Sequence, residues 1–417
     1  MASPKPSAAT AGAPRRLRVA VVGLGKMGVM HTTMARTCPE VELVGLVDRD
    51  GALARHVQSM MGSPVPTFDS LGALCTGAAP EAVVLATPQF THADLIAEAT
   101  QAGLHVLCEK PLAHTLASAR SAAEAAARAA QATPARVVQV GFMKGHDPLF
   151  RRAALLLRAH ALDAPGLRGE GAEGLQAGAC YGHDASGTAG DPRGVLGELR
   201  GFQASVHLGQ VFRKPKGWTF TKHLSGGGVL INTGIHLLFL LRLWFGPLRQ
   251  VACRMASTHA ETEDTVAAVV EHAPGHASTA GEAPGATVCG SVQVSWSTAG
   301  CDTEATALVV QGTNGTMWVE DDLIRVYLVE AQGGLPRGWT VIERRALESP
   351  GSTFNLSPEY AGEGYFREMQ NFARTALGDA RGFGYDAAFA LSIQAELDAW
   401  YRSAHSAGAW MAPEPVR

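Results

Sequence analysis

Leu17-Arg-Val-Ala-Val-Val-Gly23-Leu-Gly25-Lys-Met-Gly28 decides the fold. An apolar, valine-rich run enters a G-x-G-x-x-G turn, and a helical stretch from about Met27 to Cys38 leaves it. The three glycines have separate tasks in such a turn. Gly23 permits the tight bend, Gly25 lets a pyrophosphate come against the backbone, and Gly28 lets helix and strand lie close. The helix start at Lys26 and Met27 offers free N–H groups to phosphate oxygens. Val41–Val47 reads as a second buried strand with Asp48 at its tip, 20 residues beyond Gly28. A carboxylate there accepts hydrogen bonds from the adenosine ribose and repels a 2′-phosphate. NAD is therefore the expected cofactor. NADP is not excluded, because Arg49 either stacks on adenine or tolerates a phosphate.

Outward from this turn, strands and helices alternate. Further strands are expected near Val65–Phe68, Ala82–Ala86, His105–Cys108 and Val137–Val140. Helices are expected near Ala52–Met61, Thr91–Ala102 and Leu116–Ala132. That alternation predicts an α/β, doubly wound, parallel Rossmann domain over residues 17–141, preceded by a disordered tail at 1–16. After Gly141 the pattern changes. Strand candidates at Leu199–Leu208, Val251–Ser257, Thr265–Glu271, Thr287–Trp296, Ala305–Gln311 and Leu323–Val329 have mostly short connections and few helices between them. They predict a second domain, 142–417, built on a largely antiparallel sheet. Long surface insertions are expected at 161–194 and 273–285. Helices near Gly364–Leu377 and Ala387–Ser403 finish the chain.

Composition narrows the partners. With 417 residues, two domains are expected. A net charge of -3 gives no electrostatic case for nucleic acid or an anionic membrane. The apolar run Val229–Phe245 is short for a membrane span and is broken by Asn232, His236 and Arg242, so it reads as a buried helix. Seven cysteines are scattered with no metal-ligand spacing, so no metal and no disulfide framework is expected, and a reducing cytoplasm fits. Arg15-Arg16 before an apolar run imitates a twin-arginine export signal, but that run is the first strand of the nucleotide fold.

His105-Val-Leu-Cys-Glu-Lys-Pro111 carries the chemistry. A lysine at the carboxyl end of a buried strand is costly unless a ligand needs it, and open α/β sheets bind ligands at that end. Thr87-Pro88 ends the fourth strand and His92 opens the next helix, bordering the nicotinamide half of the crevice. His92 is either a plain first-turn residue or a ligand contact.

The glycine turn, Thr87-Pro88 with His92, and Glu109-Lys110-Pro111 together resemble the Gfo/Idh/MocA family of oxidoreductases. Gly141-Phe142, Asp147-Pro148, Gly194-Val-Leu-Gly197, and Ser225-Gly-Gly-Gly228 followed by Asn232 and His236 resemble its later motifs in order. The resemblance runs from Leu17 onward. It implies an N-terminal Rossmann domain, a C-terminal α/β domain with a large, open sheet that often mediates homo-oligomerisation, and reversible oxidation of a secondary alcohol on a sugar, cyclitol or nucleotide-sugar derivative. It also implies that Lys110 hydrogen-bonds the reacting hydroxyl, with Glu109 beside it on the cofactor side.

Hydride removal from a carbinol requires a base for the hydroxyl proton. A lysine stabilises the developing alkoxide, and a histidine with a near-neutral pKa carries the proton. Lys110 and His236 are the catalytic candidates. Asn232 lies four residues before His236 on the same helix face, Thr233 lies at its edge, and Gly226–Gly228 are expected to let the backbone approach a ligand. Many relatives carry aspartate where this chain has Asn232, and often another where it has Phe239. Asn232 cannot raise the imidazole pKa as a carboxylate would. Lys144, where relatives often have arginine, His207, Asn232 and Thr233 are the candidate substrate contacts. Trp218 and Trp296 are expected in the core or an interface. Two other functions use the same fold: a glycosidase with transient NAD-dependent oxidation, which makes no free NADH, and a non-catalytic dinucleotide sensor, which has no use for a proton relay.

Overall fold

The computed structural model describes residues 15–60, 62, 65–157, 194–213, 217–273, 287–347 and 362–416. Residues 1–14 of the expected N-terminal tail and most of the two expected insertions lie outside the described residues, whereas Arg15 pairs with Glu81 and Arg16 donates to the Val41 carbonyl. The first sheet contains β1 (Leu17–Val22), β2 (Val41–Val47), β3 (Thr67–Phe68), β4 (Ala82–Leu85), β5 (His105–Glu109) and β6 (Val138–Gly141). Its strands run in the order β3-β2-β1-β4-β5-β6, and every pairing is parallel. The order reverses between β1 and β4, which opens a crevice at their carboxyl ends. Helices α1 (Lys26–Thr37), α2 (Gly51–Met60), α3 (Leu71–Ala78), α4 (His92–Gln101) and α5 (Leu116–Gln131) connect the strands. The short α3 was not expected; Ser70 caps it by accepting from the Ala73 amide.

Strand alternation explains how this sheet is covered. Val19 and Val21 face one core with Met34 and Val57, while Ala20 and Val22 face the other with Leu74, Ile96 and Ala119. The first core is completed from far along the chain. Met369, Phe372 and Ala373 of α9 (Gly362–Ala376) join it, and Arg374 pairs with Glu40 at 3.0 Å.

After β6 the chain forms α6 (Pro148–Leu157) and then a second sheet of β7 (Leu199–His207), β8 (Leu248–Ala256), β9 (Thr265–His272), β10 (Val288–Ser295), β11 (Ala305–Gly312), β12 (Gly315–Glu320), β13 (Leu323–Leu328) and β14 (Gly338–Glu343). The order is β14-β13-β12-β11-β7-β10-β9-β8, antiparallel except for the β7–β10 pair. β12, β14 and α6 extend the sequence expectation. A short α7 (Lys222–Ser225) packs against the Gln89–Thr91 turn, and on the inner face of this sheet lie a π-helical turn at Leu230–Gly234, α8 (Ile235–Phe245) and α10 (Ala387–His405). The helical run Lys222–Phe245 contains an 18-residue stretch of mean hydropathy 1.6, enough to cross a membrane by length and composition, but 83% of that stretch is buried inside the protein. Phe239 stacks on Phe142 at 4.7 Å and packs edge-on to Tyr385. An aspartate there would bury its charge among aromatic rings.

Buried histidines give this fold a pH signature. His146 is held down to about 3 by burial, aided by Arg151 and Arg367, and its Nδ1 accepts from the Asn371 amide at 3.2 Å. His272 packs against Phe202 and Phe245 and is held down to about 4, mainly by burial. Unfolding returns both to about 6.5, so the unfolded chain takes up protons first as the pH falls. The stability that these neutral rings hold above about pH 6.5 is lost on the way down to their folded pKa values. His272→Phe should flatten this loss by about 1 kcal/mol per pH unit, read by denaturant unfolding between about pH 4 and 7. An unchanged slope would contradict it.

Candidate active site

A cleft of about 710 Å³ opens where the carboxyl ends of the parallel strands meet one end of the second sheet. Its nucleotide half is built from the glycine turn. Gly23 has φ +86°, and a Cβ there would come within 2.7 Å of the Thr87 side chain. A Cβ at Gly28 would strike the Gly23 carbonyl oxygen at 1.8 Å, so Gly28 serves helix-to-strand contact rather than the cleft wall. At Gly25 an added Cβ meets nothing within 4 Å. That residue, with Lys26 and Met27 beyond it, lines the cleft. Asp48 is fixed at the rim: its Oδ2 accepts from the Leu24 amide at 2.7 Å and its Oδ1 from the Asp50 amide at 2.9 Å. Arg49 is exposed beside it. Bare backbone at Gly25, helix N–H groups and an anchored acceptor at Asp48 fit a dinucleotide.

Thr87, Pro88, His92 and Glu109 continue the lining. The His92 ring bridges the carbonyl oxygens of Thr87 and Pro111, each at 2.9 Å, and burial lowers its pKa. The neutral ring donates to one of these carbonyl oxygens and lies against the other, so His92 sits between two strand ends. Glu109 is buried, with Oε1 2.8 Å from His31 Nε2 and Oε2 accepting from the Lys110 amide at 3.1 Å. Burial opposes its charge, but the pairing with His31 and the nearby Lys110 holds its pKa below the usual value.

Lys110 and His236 come from opposite walls. Lys110 leaves the end of β5 and donates from Nζ to the Asn232 carbonyl oxygen at 2.7 Å, within the π-helical turn. Burial lowers its pKa, Glu109 and Glu304 oppose that effect, and Lys144 adds to it. His236 sits one turn further on, only 7% exposed, and lines the same cleft. Burial pushes its pKa well down, and the positive charges of Lys110 and Lys144 push the same way. Its imidazole is therefore neutral near pH 7, and its pKa lies below the near-neutral value expected from the sequence for a proton carrier. Asn232 and Thr233 also line the cleft, although Thr233 Oγ1 already accepts from Trp296 Nε1 at 2.8 Å.

Three expectations fall elsewhere. His207 sits level with Ser295 and Ala305 in the sheet register, while Ala204 and Val206 take the buried inner face. Period two sends His207 to the outer face, where it contacts Thr298 Oγ1 at 3.0 Å, away from the cleft lining. Lys144 is buried behind the cleft wall and pairs with Glu304 at 3.0 Å. Gly226, Gly227 and Gly228 are bare for contact with protein rather than ligand. Added Cβ atoms there would lie about 2 Å from the His114 carbonyl, the Tyr401 hydroxyl and the Glu263 carbonyl respectively.

Other lining residues escaped the sequence reading. Gln210, Arg213, Glu304 and Tyr365 stand at strand ends, in short 3₁₀ turns or on α9, with no local pattern to mark them. Trp218, expected in the core or an interface, lines the cleft edge-on to Phe90. Trp296 is buried, and its indole N–H orients Thr233.

Comparison with known proteins agrees with this architecture. Residues 17–139 match the model described as GFO_IDH_MocA, oxidoreductase family, NAD-binding Rossmann fold, and residues 192–318 match the GFO/IDH/MocA C-terminal domain. An inositol 2-dehydrogenase of Rubrobacter xylanophilus is 36% identical over 155 residues, which is 37% of this chain and 43% of that protein. Inositol 2-dehydrogenase 4 of Saccharopolyspora erythraea is 35% identical over 195 residues, 46% of this chain and 52% of that one. The matched segments thus span about half the length of these relatives. A solved levoglucosan dehydrogenase in complex with NADH shares the fold over 96% of this chain and 100% of its own, with a TM-score of 0.72 at 18% identity. By its two matched domains, which together cover well over half its length, the chain belongs to the GFO/IDH/MocA family of oxidoreductases.

Proposed function

We propose that the protein is an NAD-dependent dehydrogenase or ketoreductase acting on a secondary alcohol or ketone of a sugar, cyclitol or nucleotide-sugar derivative. The observation that carries this reading is the meeting of Lys110 and His236 in one cleft with the glycine turn, tied together by the 2.7 Å bond from Lys110 to the Asn232 carbonyl. The names of the inositol dehydrogenases among its relatives support a carbohydrate-like substrate.

A bound nicotinamide dinucleotide supplies the hydride acceptor or donor. The chain supplies the rest. Gly25 and the start of α1 hold the pyrophosphate, and Asp48 takes the ribose hydroxyls. The Lys110 ammonium turns from the Asn232 carbonyl to the reacting oxygen and stabilises its developing negative charge. Neutral His236 takes the hydroxyl proton in oxidation and returns it in reduction. Asn232 orients the oxygen without adding charge. Deep burial of His236 shields that proton from water.

We further read the protein as a cytoplasmic homo-oligomer. The outer face of the second sheet carries Trp339, 58% exposed, with its ring centroid 5.2 Å from Trp318 and 5.3 Å from Tyr327. Such a patch is suited to self-association. A monomer in light scattering would remove this reading.

Lys110→Ala should cut turnover by at least about 100-fold, roughly 2.7 kcal/mol of barrier, while NADH still binds in a fluorescence titration. Undiminished turnover would take Lys110 out of the mechanism. Asp48→Ala should weaken NAD by about tenfold and leave NADP nearly unchanged, because it removes both the ribose acceptor and the repulsion of a 2′-phosphate. Equal weakening of both would refute that role.

A further inference from the structure

The substrate end of the cleft holds a charged group that the proton relay leaves unused. In the second sheet, His207, Ser295 and Ala305 lie level with one another. One step beyond them, on the inner face, Leu208, Trp296 and Glu304 come to the cleft together. Glu304 is held from behind. Its Oε1 lies 3.0 Å from Lys144 Nζ, and that ammonium also donates to Thr306 Oγ1 at 2.8 Å and sits 4.8 Å over the Phe150 ring. Thr306 Oγ1 approaches the same Oε1 at 3.5 Å. These contacts all fall on Oε1, and the side chain remains 20% exposed at the cleft.

Other lining carboxylates are committed or distant. Glu109 is pinned by His31 and the Lys110 amide, and Asp48 by the turn amides. Asp69 and Glu98 belong to the Rossmann half. On the helix that carries His236, position 232 is an asparagine and position 239 is buried phenylalanine. Among the described lining residues, Glu304 is thus the one carboxylate contributed by the second sheet. It stands close enough to Lys110 to support that lysine's charge.

We propose that Glu304 is the substrate-positioning residue of this cleft, with Lys144 fixing Oε1 while Oε2 accepts hydrogen bonds from neighbouring hydroxyls of a neutral polyol. This rests on the dehydrogenase reading and narrows its substrate class. An ionised carboxylate only accepts hydrogen bonds, so it suits hydroxyl donors and repels an acidic sugar at the same subsite. Lys144, buried and neutralised by Glu304 and by Asp321 at 3.5 Å, aims the carboxylate rather than meeting the ligand. Phosphates of a nucleotide sugar would have to lie away from this end.

The test uses the full-length protein with NAD and a panel of neutral cyclitols and aldoses, with the matching uronic acids as charged probes. Glu304→Gln keeps the shape and removes the charge. It should raise KM for the best neutral polyol about tenfold or more and change kcat by only a few-fold. NADH affinity by fluorescence titration should be unchanged, and the uronic acids should gain relative to the neutral sugars. Glu304→Asp, which keeps the charge, should recover part of the lost affinity. An unchanged KM and specificity in Glu304→Gln would overturn the proposal while leaving the dehydrogenase reading intact. Loss of NADH binding in that variant would also overturn it, by making Glu304 a structural residue. Wild-type protein that binds NADH but neither oxidises nor calorimetrically binds any polyol would overturn both readings.

Discussion

A hydrogen bond from Lys110 Nζ to the Asn232 carbonyl oxygen joins the two halves of the site. It spans 122 residues of sequence and links the end of a parallel strand to a π-helical turn packed on the other sheet. A buried ammonium needs a partner. A backbone carbonyl satisfies it without neutralising it, so the charge stays available to a ligand oxygen. The rest of the site serves this arrangement. Glu109 is paired with His31 and the Lys110 amide, so it sits near the ammonium without capturing it. His92 ties the β4 end to Pro111, the residue after the lysine.

The same economy governs the histidine. Two lysines and deep burial keep His236 neutral, and no carboxylate stands on its own helix face to oppose them. The helix carrying His236 has asparagine at position 232, and the carboxylate that reaches the cleft from the second sheet is Glu304, which is paired with buried Lys144. Charge balance in this cleft is therefore a property of the assembled sheets and of no single helix.

How much of this was legible in the sequence follows from what each signal depends on. The glycine turn, the strand ends at Asp48, Thr87 and Lys110, and the helix carrying His236 are local patterns, and the strands and helices lie within a few residues of their expected bounds. What escaped depends on packing between distant segments. His207 looked like a strand-end ligand, but one residue of register turned it to the outer face. Lys144 looked like a loop contact, but an acidic pair drew it into the interior. The Gly226–Gly228 run looked ready for a ligand; it accommodates His114, Tyr401 and Glu263 instead. Tyr365 lines the cleft because α9 returns to complete the first core, and no nearby motif announces that return.

The most direct measurement is a crystal structure of the protein with NADH and a bound polyol. Lys110 Nζ and a ring nitrogen of His236 should both lie within about 3 Å of one substrate oxygen, whose carbon faces the nicotinamide ring. A nicotinamide seated away from these two groups, or a substrate oxygen reached by neither, would contradict the catalytic assignment.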